Sequence, residues 1–202
     1  MNDTARPAMR GKLIRCLLIV VCIVFGLAVA AVAEEPRTYQ TKNIFQAGAP
    51  SILLPGAATL YRSKQGVEMR IATSGLDMNS SYSVWWVVFN NPSACVGGCG
   101  ADDLSNPAVR ASVFYAAGFV TGLSNTGNIT AHMEAGALPE GIDIELGNGL
   151  EPGNGFSAEI HIVVRSHGGT LIGSVAQQIG SFNGGCNPTC ANKQAAVFPP
   201  VQ

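Results

Sequence analysis

Past residue 33 the chain holds three histidines and four cysteines, and these are the side chains whose chemistry is most specific. His161 and His167 lie in the stretch FSAEIHIVVRSHG (156–168), with Glu159 two residues before His161, and His132 lies apart in NITAHME (128–134). Imidazoles and carboxylates hold zinc or copper when three or four donors converge to about 2.0–2.3 Å from one point. His132, Glu159 and His161 are therefore the candidate metal set, and metal binding or metal-dependent catalysis is the alternative function. In an extended strand His161 and His167 share a face but stand roughly 20 Å apart. They share no ion unless Ser166–Gly168 turns back. The competing reading is a row of polar side chains on a solvated strand face.

The cysteines form two similar pairs, Cys95-Val-Gly-Gly-Cys99 and Cys186-Asn-Pro-Thr-Cys190. Four cysteines allow three connectivities, and spacing alone does not choose among them. Gly97-Gly98 and Asn187-Pro188 are turn formers that can bring the ends of each pair within disulfide reach. Local pairing, Cys95 with Cys99 and Cys186 with Cys190, is the expectation. A four-thiolate zinc site is the alternative, and an exported chain favours disulfides.

Other chemistry is sparse. There is no G-x-S-x-G elbow and no H-E-x-x-H helix. Gly153-Asn154-Gly155-Phe156-Ser157-Ala158 matches a loose dinucleotide pattern but precedes a strand instead of a helix, so it reads as a turn. Asp143 and Glu145 share a face of a short extended segment, the spacing of a solvated carboxylate pair or, less often, of paired acids. Asp102-Asp103 reads as a cap or turn. No catalytic residue and no cofactor is expected from these patterns, and an enzyme is the less favoured reading.

The elements that would position these groups are strands. Ile160, Ile162 and Val164 alternate with Glu159, His161, Val163 and Arg165, so one face of this segment is core. YSVWWVVFN (82–90) is so aromatic and β-branched that it should be central and buried on both sides. Trp85 and Trp86 then point opposite ways. One is core, and the other is either core as well, the favoured reading, or exposed as an anchor for a sugar or a protein partner. Alternation also marks 57–63 and 67–71, joined around Gln65-Gly66, and 113–123 and 128–134, whose link 124–127 has hairpin composition. A short strand at 142–146, strands at 172–182 and 194–198, and a possible helix at 172–178 complete the pattern. About eight short strands give an all-β antiparallel sandwich in a single domain over 56–202, preceded by a loose lead-in at 34–55.

Arg6, Arg10, Lys12 and Arg15, an apolar run over 16–30 and Ala31-Val32-Ala33 make residues 1–33 a cleavable signal peptide, the alternative being a retained membrane anchor. Beyond the leader 8 basic residues face 12 acidic ones, with no basic cluster to meet nucleic acid. With 47% hydrophobic and 12% charged residues the chain can bury one core.

WWVVFNNPSACVGGCGADDL (85–104), AEIHIVVRSHG (158–168) and FNGGC with a second nearby cysteine (182–190) resemble a family of uncharacterised exported bacterial proteins. The resemblance implies an exported single domain and transfers no activity. The expectation is an exported binding or structural module of the cell envelope or extracellular space, with a protein or carbohydrate ligand and no nucleic acid. It would touch a membrane only through an uncleaved leader.

Overall fold

The computed structural model describes residues 36–136 and 138–201, so the expected signal peptide lies outside the described residues. These belong to one compact unit, Glu34–Gln202. Among the described residues nine strands form one antiparallel sheet: β1 (Thr38–Gln46), β2 (Ala49–Arg62), β3 (Gly66–Thr73), β4 (Ser80–Phe89), β5 (Ala111–Val120), β6 (Gly127–Glu134), β7 (Ile144–Leu146), β8 (Glu159–Gly169) and β9 (Ala191–Phe198). Their order is β6-β3-β2-β1-β9-β8-β4-β5-β7. The sheet folds over so that Leu60, Met69 and Ile71 from one half and Trp86, Phe114 and Ile162 from the other share one core. This is the expected all-β, sandwich-like packing, built from a continuous sheet.

Three expectations are corrected. The lead-in at 34–55 is not loose, because β1 and the first half of β2 occupy most of it. Their hairpin is largely solvent-facing from Pro50 to Leu53, so its apolar residues do not alternate as a half-buried strand does. Residues 124–127 do not close a hairpin. The β5–β6 link runs beside the β3–β4 link, with the Leu76 N–H bonded to the Asn125 carbonyl (3.1 Å) and the Asn79 N–H to that of Gly122 (3.1 Å). Both links cross between the halves of the sheet together, which lands β6 on β3 while β5 stays on β4. Finally, 172–182 holds a short helix, α1 (Val175–Gly180), and no strand.

Strand β4 lies between β8 and β5, as its composition requires. Both tryptophans on it are buried, Trp85 at 0% exposure and Trp86 at 1%. The strand is thus buried on both sides, as expected, and the less favoured reading of an exposed tryptophan as a ligand anchor does not hold. Arg62, also buried, ties β1 and the end of β9 to the turn before β8. Its Nε–H donates to Gln40 (2.8 Å), Nη1 to the Gly155 and Ala158 carbonyls (3.0 Å each), and Nη2 to those of Phe198 (3.0 Å) and Pro199 (3.1 Å). All five guanidinium protons are thus satisfied. Burial lowers its pKa to about 10, which leaves it charged at neutral pH.

Candidate functional site

The proposed metal set does not assemble. Glu159 and His161 do meet on β8, Oε1 to Nε2 at 2.7 Å, with the imidazole ring 4.8 Å from that of Phe89. His132 stands on β6, its side chain 57% exposed, in register with Glu68 and 3.9 Å from Glu134. Four strands, β3, β2, β1 and β9, separate β6 from β8 in the sheet. The crossing of the β5–β6 link is the physical reason. Asp143 and Glu145 do not pair either. Asp143 Oδ2 accepts the Phe182 N–H at 2.9 Å, while Glu145 is exposed on β7. Asp103 caps its own loop, its carboxylate accepting the N–H groups of Val96 (3.2 Å) and Gly100 (2.9 Å).

A different cluster forms on the outer face of β4 and β8. The connection from β8 to β9, residues 170–190, lies across this face as a second layer. Phe182 packs edge-on against Trp85 with ring centres 4.9 Å apart, and Tyr115 meets the same indole at 6.0 Å. The backbone of Ile179 sits where a side chain on Gly118 would be, so α1 approaches β5 only because that residue is glycine. Arg165 clamps the layer. It donates from Nε to the Phe182 carbonyl (2.7 Å), from Nη1 to Asn192 (2.8 Å) and from Nη2 to Asn183 (2.7 Å), and its guanidinium stacks 4.1 Å from the centre of the Phe182 ring. Buried Gln178 adds bonds to the Gly169 (3.1 Å) and Gly185 (2.9 Å) carbonyls.

Beneath this layer lies His167, fully buried. Its Nδ1 is 2.9 Å from the Gly184 carbonyl, which can only accept, so Nδ1 carries the proton. Nε2 therefore accepts from the Ser83 hydroxyl (2.7 Å), whose oxygen in turn accepts the Trp85 indole N–H (2.7 Å). Burial lowers the His167 pKa. The Gly184 bond opposes that shift and the nearby Arg165 charge adds to it, so the ring is neutral at pH 7.

Both disulfides form as local pairs, Cys95–Cys99 and Cys186–Cys190, which fits an oxidising compartment. Cys190 Sγ lies 3.2 Å from His167 Nδ1. Among the described residues, the one group of three or more His, Cys, Asp or Glu with metal-donor proximity is His167, Cys186 and Cys190, whose donor atoms all lie within 4.8 Å of one another. The sequence reading kept His167 and the cysteines apart. The available signal was strand register: Ser166 pairs with Ala191, which sets the next residues, His167 and Cys190, side by side.

On the opposite, inner side, β5 and β6 approach each other without a hydrogen-bonded ladder. The seam leaves a cleft of about 450 Å³, walled by Trp86, Phe114, Met133, Leu138 and Ile142, with the exposed His132 and Glu134 also lining it.

No family model matches the sequence, and no curated protein matches it. The structure of a mutant SOD-like protein from Bacillus subtilis is similar over 80% of this chain and 99% of that one, at 10% identity and a TM-score of 0.37. A likeness at that level fixes neither fold nor chemistry. Among the described residues, no helix is long and apolar enough to cross a membrane.

Proposed function

We propose that the protein is an exported binding module whose ligand occupies the seam cleft between β5 and β6. The observation that carries this reading is the unpaired seam itself. Closing the sheet there would satisfy the edge of β6 and the part of β5 that β7 does not pair, yet the chain leaves an apolar-walled opening of about 450 Å³, within the size range of small-molecule sites. Its walls suit a compact apolar body. His132 and Glu134, both solvent-exposed, suit one polar end of that ligand. The two disulfides and the signal-like leader support export. A flat aromatic platform of the kind that binds sugars has less support, because neither tryptophan reaches the surface.

The uncharged fluorophore N-phenyl-1-naphthylamine tests the proposal. It should bind at one saturable site with fluorescence enhancement. Ala116→Trp, which fills the cleft from β5, should weaken binding at least tenfold while the chain stays folded. Absence of saturable binding, or affinity unchanged by the filling substitution, would contradict the reading.

A further inference from the structure

The Cys186–Cys190 cystine is wedged against a buried histidine, and ligand binding in the cleft uses neither. We infer that His167, Cys186 and Cys190 form a copper(I) site that opens when this cystine is reduced and closes when it is oxidised. Three donors within 4.8 Å of one another are already close to coordination geometry. Donors about 2.0–2.3 Å from a common ion stand roughly 3.5–4 Å apart, so the movements required are parting the two sulfurs and shifting the Gly184 carbonyl off Nδ1.

The histidine is pre-oriented. A metal-binding imidazole is ordinarily held by a hydrogen bond at its other nitrogen, and here Nε2 meets Ser83 Oγ at 2.7 Å, itself held by the Trp85 N–H. A hydroxyl both donates and accepts. Ser83 therefore serves the ring with its proton on Nδ1, as in the oxidised protein, and equally with the proton on Nε2 when Nδ1 holds the ion. The cysteine loop stays anchored without its disulfide, since the Asn187 N–H donates to the His167 carbonyl (2.7 Å) and Asn187 Nδ2 to that of Gly169 (3.1 Å).

The donor set selects the ion. Thiolates favour copper(I) and zinc; no fourth His, Cys, Asp or Glu joins this group among the described residues, so zinc here needs a water as its fourth ligand, whereas copper(I) is complete with the three donors present. Two thiolates and one imidazole match three-coordinate copper(I).

The redox step is a thiol–disulfide exchange with an external dithiol. One thiolate of the dithiol attacks Cys186 Sγ, which is half-buried at the edge of the layer, and Cys190 leaves as a thiolate facing the Nδ1–H of His167. The second dithiol sulfur then displaces Cys186. The dithiol becomes a cyclic disulfide, and its two protons end on Cys186 and Cys190. Copper(I) displaces both protons to solvent, and the Nδ1 proton moves to Nε2. Reoxidation by a disulfide reverses the exchange and releases the ion.

The test uses the full chain with Cys16→Ser and Cys22→Ser throughout, reduced anaerobically with a dithiol, desalted and titrated with copper(I) against bicinchoninate. The reduced protein should withdraw one equivalent and the oxidised protein none. Binding should survive Cys95→Ser with Cys99→Ser, vanish with Cys186→Ser and Cys190→Ser, and weaken roughly 10- to 100-fold in Ser83→Ala. His167→Gln, if circular dichroism shows it folded, should lose tight binding. The cysteine variants, in a loop that is only half-buried, keep the test decisive if it does not fold. The proposal is overturned if reduced protein takes up no stoichiometric copper(I), or binds it as tightly without Cys186 and Cys190.

Discussion

Trp85 and Trp86 are neighbours on β4 and face opposite worlds. Trp86 belongs to the main core and forms part of the wall of the seam cleft, with Phe114 beside it. Trp85 is equally buried but lies outside that core, under the 170–190 layer with Phe182, Tyr115, Ser83 and His167. One strand thus serves two compartments through nothing more than the alternation of its side chains. What differs is the source of burial. The inner face is covered by the fold-over of the sheet, whereas the outer face is covered by a single connection pinned by Arg165, Gln178 and a cystine.

That contrast predicts unequal costs. Trp86→Ala opens a cavity in the shared core and should destabilise the protein by about 4 to 5 kcal/mol. Trp85→Ala disturbs only the outer layer, which can close down on the gap, and should cost about 3 kcal/mol. Chemical denaturation measures both, and equal losses would break the distinction. Ser83→Ala strips the Trp85 indole and His167 Nε2 of their shared partner inside the outer layer. A loss of about 2 to 3 kcal/mol is expected, with Trp86 unaffected in its fluorescence. Severing Cys186–Cys190 removes a clip on a short loop and should cost about 2 kcal/mol. Severing Cys95–Cys99 should cost a similar amount but perturb neither tryptophan, because that loop is held independently by Asp103.

The comparison also shows what could be read from sequence. Strands β3, β4 and β8 were legible because each is buried on a face in strict register, and β4 on both. The β1–β2 hairpin was not, because its projecting residues Ile52 and Leu53 are apolar yet exposed. The outer layer was half legible. Val163 and Arg165 read as one face of a strand, but nothing in alternation says that a later connection will cover that face. The metal set failed for the same reason in reverse. His132 and His161 sit on neighbouring candidate strands whose pairing the sequence leaves open, and the paired crossover links carry them to different halves of the sheet. The role of Arg62 was not legible, since a lone arginine among strand residues resembles a surface charge, and the four backbone carbonyls that converge on it come from distant parts of the chain.

Hydrogen–deuterium exchange tests the separation of the two compartments most directly, with the full chain measured alone, with N-phenyl-1-naphthylamine, and after reduction. The fluorophore should slow exchange in β6 and residues 138–142 and leave 170–190 unchanged. Reduction should speed exchange in 170–190 and leave β6 unchanged. Protection of the outer layer by the fluorophore, or opening of the β5–β6 seam on reduction, would contradict the account.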